Sequence, residues 1–375
     1  MHSVAYLRPA QSGAGVSTTV DSTGDVGQYT SIRIGTDGLG LISYYEVGKN
    51  NNTLKVLHCG NTICNSGNTS TTVDNSGNAG MYSSIAIGAD GLGLISYFDA
   101  GSLALKVLHC GNTACSSGNT TALVDASGAP GQYTSITIGT DKLGLISYYN
   151  SFPPGALNVF HCSNTACNSG TVSTVDSSST FENTSIGIGA DGQGLISYHD
   201  AGNNTLKVLH CGNTICNSGN TSTTVDSTAG KYSSITIGAD GLGLISYFDA
   251  GHVALKVLHC GNTACSSGNT SALVDASGAP GQYTSITIGA DGLGLISYFN
   301  SFPPGSLNVF HCNNTACNGG IVDKLDVGEY TSIGIGADGL GLISYYDVSN
   351  GDLKVFHCSN RLCSFATVFL PLVIK

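Results

Sequence analysis

The sequence predicts an all-β protein, a seven-bladed β-propeller with four antiparallel strands per blade. Three observations carry that expectation. A unit recurs seven times, and its first cysteines, Cys59, Cys110, Cys162, Cys211, Cys260, Cys312 and Cys358, lie 46 to 52 residues apart. Each unit holds four short runs rich in β-branched residues, separated by Gly, Asn, Asp and Ser, with no helical period. The repeat is also out of phase with the chain. A fourth-run sequence, Val-Ser-Thr-Thr-Val-Asp at 16–21, precedes any first run, and the last unit stops after its third run at His357-Cys358.

The phase predicts how the ring closes. The strand at 16–21 completes the last blade, so no sheet edge is left at the seam to pair with other chains. The expected organisation is one domain over residues 1–375. It has an N-terminal extension (1–15), the closing strand (16–21), six full units (29–74, 81–125, 132–176, 182–226, 231–275 and 282–326), a seventh (330–363) and an apolar tail (364–375). Within a unit, the second run, Leu-Gly-Leu-Ile-Ser-Tyr, is apolar on both sides and must be covered on both faces. Two flanking blades supply that cover. Residues 52–74 are identical to 204–226, and 126–139 to 276–289, so a three-blade block is duplicated. Blades this alike argue against one asymmetric catalytic pocket.

Composition narrows the function. Charged residues are 10% of the chain and the net charge is −11, with arginine only at Arg8, Arg33 and Arg361. Nucleic-acid binding needs basic patches to displace counterions, so that class is excluded. Fourteen cysteines in regular pairs indicate an oxidising compartment, secreted or cell-surface. Residues 1–8 lack the apolar stretch of a secretory signal, so the chain is expected to be a mature form or a piece of a longer protein. The C-terminal apolar run is shorter than the ~20 residues that span a bilayer.

The cysteine pairs are expected to span the turn between the third and fourth strands. Cys59 goes with Cys64, Cys110 with Cys115, Cys162 with Cys167, and Cys211 with Cys216. Cys260 goes with Cys265, Cys312 with Cys317, and Cys358 with Cys363. Side chains on either side of so tight a loop are close enough for a disulfide. The preceding histidine (His58, His109, His161, His210, His259, His311, His357) offers a third soft ligand to zinc. Neighbouring residues on a strand point to opposite faces, however. Disulfides are therefore expected, with no metal and no cofactor, and the histidines are expected to be buried and to tie one blade to the next. Asp37, Asp90, Asp141, Asp191, Asp240, Asp291 and Asp338 mark the turn between the first two strands; six precede Gly, and Lys142 follows the third. Asp-Gly there is a hairpin signal. Tyr44, Tyr97, Tyr148, Tyr198, Tyr247, Tyr298 and Tyr345 end the second run and are expected to pack between blades with a polar tip at the rim. Six further tyrosines precede the first run and are read in the same way; stacking on sugars is the alternative for both sets, weakened by the absence of Trp.

Two features break the pattern. Units 3 and 6 carry Asn-Ser-Phe-Pro-Pro-Gly between the second and third strands, with Phe152, Pro153, Pro154 and Phe302, Pro303, Pro304 as candidate interaction residues. A stiff aromatic loop loses little entropy on binding. The tail supplies Phe369, Leu370, Leu372, Val373 and Ile374, with no assigned place in the ring, as a candidate for pairing with another copy.

The unit Ser-Ile-x-Ile-Gly-x-Asp-Gly-x-x-x-Ile-Ser-Tyr…Leu-Lys-Val-x-His-Cys resembles repeats of secreted bacterial propellers, loosely like sialidase-type Asp-box repeats. The tail Val-Phe-Leu-Pro-Leu-Val-Ile-Lys resembles the ending of secreted proteins of Chloroflexota-type bacteria. The resemblance implies a propeller fold; sialidase chemistry would need an arginine triad, and Arg8, Arg33 and Arg361 are not spaced as one. The expectation is a non-catalytic extracellular interaction propeller, not an enzyme, self-assembling through its tail or binding cell-surface or matrix components. A multivalent glycan-binding lectin is the alternative.

Overall fold

The computed structural model describes residues 11–48, 51–228 and 230–367. Every regular element among them is a strand, arranged in seven four-stranded sheets and one two-stranded pair. Blade 1 runs Asp25–Ile34, Gly40–Val47, Thr53–His58 and Thr69–Asp74, paired in chain order, and blades 2 to 6 repeat it. Blade 7 takes its fourth strand from the other end of the chain. Gly15–Asp21 pairs antiparallel with Asp352–Cys358, Gly15 opposite Cys358. The ring is closed as its phase predicts.

First strands are innermost, fourth strands outermost. Second strands are the core: from Gly93 to Asp99 every residue is buried. Each sheet packs its apolar side chains on the next, as when Leu41, Leu54 and Val56 of blade 1 meet Ile95, Tyr97 and Leu108 of blade 2. Outer strands alternate exposed and half-buried residues, which fits a sheet face turned to water.

All seven cysteine pairs are disulfides, with Cα–Cα separations of 4.7–4.8 Å, and no described cysteine is free. Their placement differs from the expected staple between the third and fourth strands. The second cysteines, Cys64, Cys115, Cys167, Cys216, Cys265, Cys317 and Cys363, all lie inside the loop, short of the fourth strand. Each takes a left-handed φ of 51–57°. The backbone sets that position: the Cys64 N–H donates to Asn61 O at 3.0 Å, closing a turn, and the equivalent bond recurs in every blade. Each bridge therefore folds the loop back onto the end of the third strand, and both of its cysteines are fully buried.

The glycine opening each second strand makes room for the disulfide. A Cβ on Gly93 would meet Cys110 Sγ and Leu41 Cδ2 of the neighbouring blade, each at 2.8 Å. The third-strand lysine, the fourth-strand aspartate and the second-strand tyrosine form the polar seam. Tyr97 Oη donates to Asp74 Oδ2 of the preceding blade at 2.6 Å, and Lys106 Nζ reaches the same oxygen at 3.2 Å. The tyrosine–aspartate bond recurs at all seven junctions, including Tyr44–Asp21 across the closure.

Two further expectations are corrected. The seven tyrosines have no polar tip at the rim; they are fully buried, and each hydroxyl ends on a buried or half-buried aspartate. Burial of a hydroxyl costs free energy unless it is bonded, and the aspartate ending each neighbouring fourth strand meets that need. The histidines do not join blades. His58 Nε2 lies 2.8 Å from Asp37 Oδ2 in its own blade, and the same pairing recurs in every blade. Register explains this: Leu41 pairs with His58, which puts the histidine beside the hairpin turn that Asp37 opens. That aspartate's other oxygen accepts the Leu39 N–H, so it closes the turn as well.

The seam carries a pH dependence. Burial pushes the Asp326 carboxyl up, but hydrogen bonds from Lys354, Tyr345 and Ser17 outweigh it and hold the group down at about 2. Asp21, Asp74, Asp176 and Asp226 are lowered by the same balance. Their folded values lie below their unfolded ones, so the stabilisation is present above about pH 4 and is lost as pH falls toward 2. Urea midpoints measured from pH 7 to pH 2.5 are expected to hold above pH 5 and drop steeply below 4. A flat profile through pH 3 would contradict the seam.

Candidate functional site

Each first strand begins with a bulge. In blade 1 the pairing register shifts between Gln28 and Ser31, and Tyr29 takes φ 51°. An extra residue in the left-handed region re-aims its side chain, here into the central channel. The same φ, 49–57°, recurs at Tyr82, Tyr133, Asn183, Tyr232, Tyr283 and Tyr330. Together these seven residues ring one channel mouth around a cavity of about 210 Å³.

Neighbouring rings sit close, with centroids 4.3–4.9 Å apart and planes 38–59° to each other. Those tilts centre on one-seventh of a turn, so the rings stand upright along the channel axis. At that separation they lie as a fan, each toward its neighbour, and turn edges rather than faces to the lumen. Burial pushes Tyr133 up to about 12 and raises Tyr29, Tyr82, Tyr232, Tyr283 and Tyr330 as well, so the ring is neutral at physiological pH.

Blade 4 interrupts the fan. Asn183 stands where the other blades have tyrosine, and its Oδ1 accepts the Tyr232 N–H at 3.0 Å. Beside it, Glu182 Oε2 lies 3.5 Å from Nδ1 of the buried His199. The His199 imidazole beside it holds the Glu182 carboxyl down, against the effect of burial. Asn204 Nδ2 donates to Thr228 O, and its Oδ1 lies 3.2 Å from His199 Nε2. The mouth therefore has six aromatic positions and one polar notch.

The Phe-Pro-Pro loops open on the same face, since the loop between second and third strands lies at the end where first strands begin. Phe152 and Phe302 are each 67% exposed, and Pro153, Pro154, Pro303 and Pro304 are exposed with them. The loop bases are fixed. Asn150 Oδ1 accepts Phe152 N–H at 3.1 Å, and its Nδ2 donates to Ser127 O. Asn300 repeats both bonds in blade 6.

At the far end of the channel Arg33 shares a cavity of about 390 Å³ with Thr236, Thr287 and Gly334. Its Nη1 donates to Ile32 O. Arg361 sits in the last disulfide loop, and Arg8 lies outside the described residues. Among the described residues no three His, Cys, Asp or Glu side chains are placed to hold a metal.

The tail is placed only at its start. Ala366–Thr367 pairs antiparallel with Gln11–Ser12, so the segment begins beside the N-terminal extension of the same chain. Phe369, Leu370, Leu372, Val373 and Ile374 lie outside the described residues.

No protein-family model and no curated protein matches the chain. Solved structures share its ring. An ulvan lyase from a new polysaccharide lyase family is 10% identical, with a TM-score of 0.57 over 93% of this chain and 96% of that one. A protein of unknown function from Dyadobacter fermentans is 12% identical, with a TM-score of 0.55 over 80% and 97%. The NanB sialidase of Streptococcus pneumoniae is 9% identical, with a TM-score of 0.51 over 92% and 70%. At such identities the likeness shows the propeller fold alone.

Sequence reasoning gave the six tyrosines before the first run the same inter-blade packing role as the second-strand set and did not place them around the channel. Their substitution by Asn183 was readable, but the bulge that turns them into the channel depends on cross-strand register, which one strand does not reveal. The possibility that the second-strand tyrosines stack on sugars is removed by their full burial.

Proposed function

We propose that this protein is a non-catalytic extracellular interaction propeller whose contact surface is the face carrying the tyrosine ring and the two Phe-Pro-Pro loops. One observation carries the reading: two proline-stiffened loops, on blades 3 and 6, hold Phe152 and Phe302 out in water beside an aromatic mouth. Exposed, pre-ordered aromatic side chains bind with little ordering cost. Seven disulfides fit an oxidising, extracellular setting. In the five seams that carry a lysine the polar groups are consumed by one another, which favours a scaffold over a catalyst.

The test is binding to cell-envelope and matrix fractions by wild type and the Phe152→Ser/Phe302→Ser double variant. At least a tenfold loss is expected, with the melting temperature unchanged because both side chains are exposed. Equal binding by both proteins would reject this face as the contact surface.

The lectin reading is supported by the mouth rather than by equivalent sites between blades, since hydroxyls and Asn183 line it. A glycan array with wild type and Tyr283→Ala separates the two readings; silence across a broad array rejects the lectin. Assembly through the tail is supported by exposed apolar side chains on the outer strands of blades 6 and 7 and around the last disulfide loop: Val16, Ile321, Val322, Leu362 and Phe365.

A further inference from the structure

Five of the seven blades place a lysine in the seam, and two do not. Lys55, Lys106, Lys207, Lys256 and Lys354 each bring Nζ to the neighbouring blade's aspartate at 2.5–3.2 Å. Each also stands 2.6–4.0 Å from a second carboxylate of its own blade: Glu46, Asp99, Asp200, Asp249 or Asp347. In blades 3 and 6 the lysine is Asn158 or Asn308, and the second carboxylate is Asn150 or Asn300. The receiving aspartates, Asp125 and Asp275, remain and are buried.

The formal charge of the set is the same in both versions: two carboxylates with one ammonium, or one carboxylate alone. The difference is that Asp125 and Asp275 have no cation. Asp125 Oδ2 accepts only the Tyr148 hydroxyl, at 2.6 Å, among protein donors, and Asp275 Oδ2 likewise accepts Tyr298, at 2.7 Å.

The replacing asparagines supply the second observation. Asn158 and Asn308 are 3% and 4% exposed, and the Oδ1 of each is buried without a hydrogen-bond partner. Native interiors almost always satisfy such atoms. Here the same atom goes unmet in two copies of the same position. Register locates it. Asn158 lies opposite Tyr148, the tyrosine bonded to Asp125, as Lys55 lies opposite Tyr44, the tyrosine bonded to Asp21.

We propose that Asp125 with Asn158, and Asp275 with Asn308, each bind a monovalent alkali cation in the place that a lysine ammonium takes in the other five seams. The oxygens are hard ligands, which suit Na⁺ or K⁺ and not thiophilic metals. A single negative charge balances a single positive one; a divalent ion would leave a buried excess. Asn150 and Asn300 are committed to the Phe-Pro-Pro loops, so the lysine-free seam and the protruding loop occur in the same two blades.

The experiment is thermal unfolding of desalted protein in tetramethylammonium chloride, exchanged stepwise for NaCl or KCl at constant ionic strength. A saturable rise in midpoint of about 2–4 °C is expected, as ligand binding to the folded state requires. The Asn158→Lys/Asn308→Lys variant carries its own ammonium and is expected to lose the response. If that variant fails to fold, Asp125→Asn/Asp275→Asn decides, since removing the charge must also abolish the response. Equal midpoints in all three salts would overturn the proposal. So would a response that survives in the variants, or one given by CaCl₂ but by neither alkali salt.

Discussion

Deleting residues 1–21 is expected to abolish the folded ring rather than trim it. Blade 7 would keep three strands, and Asp352–Cys358 would become an unpaired edge. The loss also removes Asp21, which accepts Tyr44 Oη and Lys55 Nζ, and Ser17, which bonds Asp326 and Tyr345. Breaking the buried Lys55–Asp21 pair alone costs about 3–5 kcal/mol, against a total stability on the order of 5–15 kcal/mol. The truncated chain is therefore expected to elute as aggregate and to show no cooperative melt by circular dichroism.

A circular permutant separates this from mere loss of sequence. In blade 3 the fourth strand begins eight residues after the first cysteine, Gly170 lying opposite Cys162. Joining 15–21 directly after residue 365 gives Gly15 the same spacing from Cys358. A chain of 22–365 followed by 15–21 is expected to recover the cooperative melt. A truncated chain as stable as the full one would contradict closure by the first strand.

The second large effect lies in one side chain. Asp21→Ala takes from buried Lys55 its close carboxylate, leaving Glu46 at 4.0 Å, and from Tyr44 its anionic acceptor, leaving only Ser70; it is expected to cost about 3–5 kcal/mol by urea unfolding. Asp275→Ala, at a seam that has asparagine instead of lysine, strands no ammonium. It is expected to cost about 1–3 kcal/mol, the range for an unsatisfied hydroxyl. Equal losses at both positions would show that the lysine does not set the energetics of the seam.

Much of the architecture was legible because it is periodic. The offset fourth strand at 16–21 announced the closure, and the Cys-x4-Cys spacing announced the disulfides. The spacing did not show that Cys64 and its six equivalents stop inside the loop, because that follows from a left-handed backbone and not from residue type. What stayed hidden beyond this was contact across blades. The aspartate ending Thr-Val-Asp and the lysine of Leu-Lys-Val were visible as repeat residues, but nothing local shows that they meet one tyrosine hydroxyl. The histidine was assigned to the wrong neighbour for the same reason: only the pairing of Leu41 with His58 places it over its own hairpin turn. The tyrosine ring was missed because it depends on a bulge, and a bulge is a relation between two strands. The Phe-Pro-Pro loops stood out because they break the repeat. Asn158 and Asn308 break it too, yet a lysine-to-asparagine change gains meaning only once the facing aspartate is known.

The ring is a circle fastened by strands from both ends of the chain. Amide hydrogen exchange over Gly15–Asp21 measures that fastening in the intact protein. These amides are expected to exchange as slowly as those of Asp352–Cys358 and to be released with them in one step. Exchange at 15–21 as fast as in an unstructured peptide, with blade 7 still protected, would contradict the account.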